Sequence, residues 1–462
     1  MTQILVVSLG GSPEPVVNCI TSLQPDRVVF FCSEGSQSQV GTVLSTVPIA
    51  EFEPARDMVV LQQRFSRRQG EEVISEIDHL EIVYARATDL LMRLRRDSPG
   101  STLIVDYTGG TKTMAAGLAM AAIDVEGVQL RLTTIPERPQ GETSLSGPSL
   151  PVAVAKIDIQ ARRLLDLELP PLLKRFDYGA ARAVVSRVRQ LETRSSSHTA
   201  QLLIRLERLL KALDAWDRFD HQRAAAEIGE IGDKSLKENF QERLRRIMTC
   251  RQLVEGKDLK SAPFKGHGLE AVEDLLLNAK RREAQQRWDD AVGRLYRAAE
   301  LTAQTLLLID VCEQVGPAGI RTADVAVERL PPSLQEKYQR KPRNGGKLQL
   351  GLRDAFHLLG DLEHPTGLAW KQHENRYLDL LKIRNNSLYA HGFTPISFHD
   401  WSRFQEAFGT LIDQAIERLR QGRATAAPGA PQLPGRLEQL LPAPESAAAA
   451  SSPRTTPASP PR

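Results

Sequence analysis

An α/β domain with a mostly parallel sheet, followed by an all-α region, is the fold class this sequence predicts. Three observations carry it. Up to residue 165, short apolar runs alternate with helical patterns, the arrangement that yields a sheet covered by helices on both faces. Beyond residue 165 only the periodicity of amphipathic helices remains. Two glycine-rich turns, at Gly10–Gly11 and Gly109–Gly110, each follow an apolar run, as ligand-binding loops do at the carboxyl edge of such a sheet.

The elements follow in order. Ile4 to Leu9 is a short apolar run of the buried-strand kind. Ser12-Pro13-Glu14 then offers an N-cap, a proline at the first helical position and an acid in the first turn. RVVFFC (27–32) is a second strand, residues 74–97 a long helix, TLIVD (102–106) a third strand, and Thr111 to Ile123 a helix of small residues. Val128 to Thr134 and Val152 to Ile159 are the remaining strands. Leu202, Leu203, Leu206, Leu209, Leu210, Leu213 and Trp216 then mark the apolar stripe of an amphipathic helix. KSAPFKGHG (260–268) reads as a boundary, and a second helical block runs from Leu269 to Arg420. From Ala424 onward Ala, Pro and Ser dominate. Such a tail cannot bury enough apolar surface to offset its ordering entropy and is expected to be disordered, apart from a short turn at Leu437 to Leu441. The expected division is 1–165, a helical linker 166–260, a second helical domain 261–423 and the tail 424–462.

Composition bounds the function. The 462 residues are 41% hydrophobic and 25% charged, enough for real cores, and the net charge of +3 excludes a polycationic nucleic-acid coat. The four cysteines are scattered without a CxxC pair, so neither a zinc site nor a disulfide framework is expected and the compartment is reducing. Cys32 reads as a small buried hydrophobe rather than a nucleophile. The N-terminus has no basic segment before its apolar run, and no apolar stretch is long enough to span a membrane.

Two stretches carry chemistry. In DYTGGTKTMAAG (106–117) a strand ends at Asp106, Thr108, Gly109, Gly110, Thr111 and Lys112 form a tight turn, and a helix follows. Glycines let the backbone approach a ligand, and the helix start presents free N–H groups that suit a phosphate. The loop is not a P-loop, because Thr111 stands between Gly110 and Lys112, and Gly10, Gly11, Ser12 and Pro13 do not form a dinucleotide fingerprint. In a parallel sheet both loops open at one edge and converge on one pocket.

The second stretch is RNNSLYAH, which holds Arg384 and His391 with Asn385 between them. On a continuous helix residues seven apart share a face. An imidazole moves protons near neutrality and a guanidinium stabilises developing negative charge, which together suit metal-free RNA cleavage. Spacing alone discriminates little, since roughly two such Arg–His gaps arise by chance in a chain this rich in arginine. The polar run Arg384–Ser387 nevertheless interrupts an apolar-periodic helix, a cost in propensity that functional sites accept. Gly392 offers a helix C-cap. The basic segment Lys337, Arg340, Lys341, Arg343 and Lys347 reads first as a solvated loop and second as an RNA guide. His364, His373 and His399 form no metal pattern.

With these residues in view, the chain resembles the CRISPR-associated CARF–HEPN ribonucleases, the ancillary nucleases of type III systems. VVSLGGSPEPV (6–16) and DYTGGTKTM (106–114) resemble the Rossmann-like CARF side; WDDAVGRLYRAAELTAQ (288–304) and RNNSLYAHG (384–392) resemble the HEPN side. The resemblance implies a cytoplasmic homodimer whose CARF domains bind a cyclic oligoadenylate of four or six units as activator. Gly10 to Pro13 and Thr108 to Lys112 would hold it. It also implies paired HEPN domains that cleave single-stranded RNA to 2′,3′-cyclic phosphate ends in antiviral defence, with no metal or other cofactor. Arg384, His391 and Asn385 would carry the chemistry, with Tyr296, Arg297 and Glu300 in support. Two other readings remain: a ring sensor without nuclease turnover, and a CARF domain that itself degrades the ring.

Overall fold

The computed structural model describes residues 2–62, 75–134, 149–190, 198–231, 234–254, 266–311, 327–340, 343–344, 347–348, 350–422 and 429–441. It divides into two compact units, Met1–Leu164 with Arg187–Gln201, and Leu165–Ser186 with Leu202–Arg462.

The first unit is a six-stranded sheet in the order β3-β2-β1-β4-β5-β6, the arrangement of doubly wound α/β folds. Its strands are β1 (Gln3–Leu9), β2 (Arg27–Ser33), β3 (Met58–Leu61), β4 (Thr102–Asp106), β5 (Val128–Thr134) and β6 (Leu150–Ala153). β1 to β5 pair in parallel and β6 joins the edge antiparallel to β5. Alternate residues of β1 and β2 serve opposite faces. Ile4, Val6, Val29 and Phe31 enter one core, Leu5, Val7, Val28 and Phe30 the other. Both faces are buried, which is why these strands read as unbroken apolar runs rather than alternations. Helices α1 (Glu14–Leu23) and α2 (Ser38–Thr46) cover the second face; between α2 and β3 lies the short helix α3 (Pro54–Asp57). Helices α4 (Leu80–Asp97) and α5 (Lys112–Asp124) cover the first face.

Four expectations are corrected here. The segment expected as a strand from Val152 to Ile159 ends as a strand at Ala153 and becomes helix α6 (Lys156–Arg163). Lys156 donates to the carbonyls of Ala122 (2.6 Å) and Val125 (2.6 Å), closing the end of α5. β3 went unrecognised because four residues give too short a pattern. The long helix expected over 74–97 begins only at Leu80, after a 3-10 turn at Glu76–Asp78. The N-cap of α1 is Pro13, with no side-chain cap bond, rather than Ser12.

The second unit is helical. It contains α7 (Leu169–Lys174), most of α8 (Tyr178–Gln190) and α9 (His198–Asp217), then α10 (His221–Gly229), α11 (Lys234–Val254), α12 (Glu270–Ala284) and α13 (Trp288–Ile309). The predicted stripe of α9 is buried at Leu203, Leu206, Leu209, Leu210, Leu213 and Trp216, while Leu202 is half-buried. The helices Pro332–Gln339, Leu352–Asp361, Pro365–Gln372, Glu374–Asn385, Phe398–Phe404 and Thr410–Gln421 follow. Helix α13 is the axis of the unit: it packs on α11, α12 and on the helices Leu352–Asp361, Glu374–Asn385, Phe398–Phe404 and Thr410–Gln421. Gly429 to Arg436, expected within a disordered tail, instead lies against this unit, and the turn expected at Leu437 to Leu441 is a 3-10 turn at Leu437–Gln439. Tyr178 donates its hydroxyl to Pro434 O (2.8 Å), Gln432 donates to Leu277 O (2.9 Å), and Leu433 and Leu440 are buried. Those contacts offset the ordering entropy that composition alone suggested could not be met. Residues 442–462 lie outside the described residues.

The tightest constraint in the sheet sits where β1 and β4 end. A Cβ on Gly109 would lie 2.2 Å from Ser8 O. Gly109→Ala is therefore expected to lower stability by about 1–3 kcal/mol, the scale of overpacking. Equilibrium denaturation checks this, and an unchanged midpoint would show that the two loops do not touch.

Candidate functional sites

At the carboxyl edge of the sheet the two glycine-rich turns meet, at the point where strand order reverses between β1 and β4. A Cβ on Gly10 would stand 2.8 Å from Gly110 N, and Gly110 adopts φ 84°, a conformation that favours glycine. Beneath them Asp106 is buried and entirely occupied. Its Oδ1 accepts from Thr108 N (2.9 Å) and its Oδ2 from Thr133 Oγ1 (2.7 Å) and Cys19 Sγ (3.6 Å). Thr108 Oγ1 in turn accepts from Thr133 N at 2.6 Å. Thr111 caps α5, accepting from Met114 N (3.2 Å) and donating to Ile77 O (3.3 Å). Thr111 thus spends its hydroxyl donor on main chain, whereas Thr108 Oγ1 only accepts from main chain and keeps its O–H as a donor. Gly11, Ser12, Gly110 and Lys112 are exposed, with Gly10, Pro13 and Gly109 partly so. What this edge offers a ligand is glycine backbone, the Ser12 and Thr108 hydroxyls, the first turn of α5 and the Lys112 ammonium. Cys32, at the end of β2, is fully buried, and burial pushes its thiol up to about 11, a value that leaves it inert as a nucleophile.

In the helical unit, Arg384 lies in the last turn of the helix Glu374–Asn385. Its guanidinium sits over the Tyr296 ring, 4.2 Å from the centroid, and its Nη1 donates to Asn385 Oδ1 at 3.2 Å. Among the described residues no carboxylate pairs with it. Burial, and then the Glu300 carboxylate, push the Tyr296 phenol up against the opposing pull of Arg384 and Arg297, so the ring under the guanidinium stays neutral. Arg297 and Glu300, expected as supports, pair with each other at 2.6 Å, and Arg297 also reaches Gln304 at 3.4 Å.

His391 does not share a helix with Arg384. The helix ends at Asn385 with Asn386 as C-cap, so the expected common helical face and the expected Gly392 cap are both corrected. A backbone knot achieves the juxtaposition instead. Ser387 is buried, with its N–H and Oγ donating to Arg384 O at 3.0 and 2.8 Å. The chain then loops out through Leu388, Tyr389 and Ala390 and returns. His391 N donates to Asn385 O (3.1 Å), Gly392 N to Ser387 O (3.3 Å) and Thr394 N to Asn386 O (2.9 Å). A Cβ on Gly392 would fall 2.1 Å from Asn386 O, so only glycine lets the strand of the knot pass. The His391 amide is thereby held one residue from Arg384, with its side chain exposed.

Sequence reasoning missed one support. Asp289, at the start of α13, accepts from Ile396 N at 3.2 Å and ties the return segment to the helix. Tyr296 lies seven residues further on, two turns along the same face. Helix α13 thus holds Arg384 from one side chain and the chain after His391 from another. Around the knot Leu388, Tyr389, Phe393 and Phe398 are exposed, Phe393 at 88%, and the Phe398 ring lies on Trp288 (5.3 Å between centroids). Of the basic segment, Lys337 pairs with Asp361 and Arg340 with Glu336. Lys341 and the side chains of Arg343 and Lys347 lie outside the described residues. His364 is buried between Asp310 and Arg418.

Residues 264–414 match the family model described as the Csm6 HEPN domain. Among solved structures, Enterococcus italicus Csm6 bound to cyclic hexa-2′-fluoro-hexa-dAMP superposes with a TM-score of 0.58 at 13% identity, over 92% of this chain and 95% of that one. Can2 from Sulfobacillus thermosulfidooxidans, in complex with cyclic tetra-adenylate, aligns over 55% of this chain and 68% of that one at 12% identity, but its TM-score of 0.19 carries no argument. No curated protein sequence matches. The fold of the chain is thus that of Csm6, and the match to a HEPN domain is confined to residues 264–414. Arg384, His391 and Tyr296 all lie within the matched residues.

The guanidinium–phenol contact is open to direct measurement. A double-mutant cycle with Arg384→Gln and Tyr296→Leu is expected to give a coupling of about 0.5–2 kcal/mol, the range for partly desolvated cation–π pairs. Coupling indistinguishable from zero would remove Tyr296 from the site.

Proposed function

We propose that this protein is a cyclic-oligoadenylate-activated, metal-independent endoribonuclease that cleaves single-stranded RNA in type III CRISPR defence and works in the cytoplasm as a homodimer. The observation that carries the reading is an arginine stacked on Tyr296 without a carboxylate partner among the described residues, with His391 drawn back to the same helix end. An uncompensated guanidinium is a phosphate ligand in waiting. The RNA 2′-hydroxyl loses its proton to one imidazole and attacks the adjacent phosphorus. Arg384 stabilises the charge on the phosphorane, and the departing 5′-oxygen gains a proton from a second imidazole. The products are a 2′,3′-cyclic phosphate and a 5′-hydroxyl. The nucleophile is internal to the substrate, so the reaction asks the protein only for proton transfer and charge stabilisation.

A second imidazole implies a second copy of the chain. The apolar collar of Leu388, Tyr389, Phe393 and Phe398 beside the site supports pairing, because exposed apolar groups of that size cluster at interfaces. Asn385 stays within reach of the substrate through its contact with Arg384. In the α/β domain, residues 1–165, the Gly10–Pro13 and Thr108–Lys112 turns support a ring phosphate site. The hexameric ring analogue on Enterococcus italicus Csm6 makes the six-unit ring the first to try. The ring activates by binding the active dimer better than the resting one. The Thr111 hydroxyl is engaged by main chain as donor and acceptor, which speaks against it in ring cleavage at this edge.

The test is cleavage of labelled single-stranded RNA, with a chelator present and with or without cyclic tetra- or hexa-adenylate. Ring-dependent cleavage is expected, with Arg384→Ala and His391→Ala each about 10²–10⁴-fold slower. A ring that binds without any RNA turnover would leave a sensor in place of an enzyme. Gly392→Ala is expected to fold and yet cleave on the order of 10²-fold slower, since a displacement near 1 Å costs that much at a reacting centre. Full activity in this variant would separate the knot from the chemistry.

A further inference from the structure

A cavity of about 230 Å³ opens between α11, α12 and α13 of the helical unit. Its floor is apolar, with Ala271, Leu275 and Leu301 all buried. Two guanidinium groups, Arg251 and Arg297, and the ring of Phe219 complete its wall.

Phe219 and Arg251 are held in unusual ways, while Arg297 forms an i,i+3 pair with Glu300 at 2.6 Å. Phe219 follows the end of α9 with φ 65°, in the left-handed region where glycine is preferred at a helix end. The chain keeps an aromatic ring there against a backbone cost, and strained positions of this kind gather at ligand sites. Arg251 donates from Nη1 to Phe219 O (3.2 Å) and to His221 Nδ1 (2.9 Å). A guanidinium only donates, so His221 accepts at Nδ1 and presents its Nε2–H to Asp274 Oδ2 at 3.0 Å. Asp274 also accepts from Trp216 Nε1 at 3.1 Å, and both His221 and Asp274 are buried. A buried chain of hydrogen bonds therefore fixes the direction of Arg251 before any ligand arrives. Arg297 is the residue next to Tyr296 on α13, and Tyr296 carries Arg384. The cavity thus stands at the same height along α13 as the candidate site, about 100° around the helix.

We infer that this cavity is an RNA subsite that receives the nucleotide next beyond the two joined by the scissile phosphate, its base against Phe219 and its phosphate between Arg251 and Arg297. An apolar floor, one aromatic face and two cations match a single-stranded nucleotide, which offers a π-face and a negative charge together. This rests on the ribonuclease reading and extends it from the cleaved bond to the neighbouring nucleotide. The subsite lengthens the preferred substrate: RNA long enough to reach it is bound more tightly than RNA that covers the scissile bond alone.

The test uses the full-length protein with saturating ring activator and two substrates, a dinucleotide and a longer single strand. Phe219→Gly removes the ring while placing the best residue in the left-handed position, so the fold is retained; Arg297→Gln removes one cation. The ratio of kcat/KM for long over short RNA is expected to fall roughly five- to a hundred-fold in Phe219→Gly, the worth of one base–aromatic stack. Most of the change is expected in KM, with a smaller fall for Arg297→Gln. An unmoved ratio in both variants, while the unmodified protein cleaves RNA, overturns the subsite alone. No cleavage by the unmodified protein overturns the ribonuclease reading on which it stands.

Discussion

The guanidinium of Arg384 lies on the face of Tyr296 rather than against a carboxylate, and much of the helical unit is arranged around that choice. A carboxylate partner would have neutralised the charge and satisfied its donors. An aromatic ring attracts the cation through its quadrupole while leaving the N–H edge directed outward. Tyr296 stands on helix α13, along which Ala291, Val292, Leu295, Ala298 and Ala299 are buried. The small residues among them let neighbouring helices approach closely.

The same helix organises what lies beyond the arginine. Asp289 ties down the segment after His391, and Arg297 faces the cavity shared with α11 and α12. These side chains project from one rigid rod, so their spacing is set by helix geometry rather than by loop conformation. Loops alone would hold a constellation less accurately. The knot from Asn385 to Thr394 is a loop, but its three return hydrogen bonds and the glycine against Asn386 make it as constrained as a turn of helix.

The α/β unit solves a related problem with different means. Asp106 lies under two glycine turns and spends its acceptor capacity on Thr108, Thr133 and Cys19. The turns are therefore fixed from below, and they offer glycine backbone, the Ser12 and Thr108 hydroxyls and exposed Lys112. A pocket of backbone suits a ligand recognised by its phosphates and shape.

The sequence by itself determined the layered sheet and the helical remainder. Buried parallel strands must be apolar on both faces, and amphipathic helices must repeat near 3.6, so both leave a local mark. The glycine turns and the Arg384–His391 pair were legible for the same reason, each being short and contiguous. What only the tertiary structure decided lies in contacts between segments distant in the chain. Two asparagines and a serine end the helix early, and no periodicity could show that the chain doubles back to return His391 to it. The stacking of Tyr296 under Arg384, the hold of Asp289 on Ile396 and the seating of Gly429 to Leu441 join residues about 90 to 260 positions apart. Local propensity carries no information about such pairs, because their energy exists only once the intervening chain has folded.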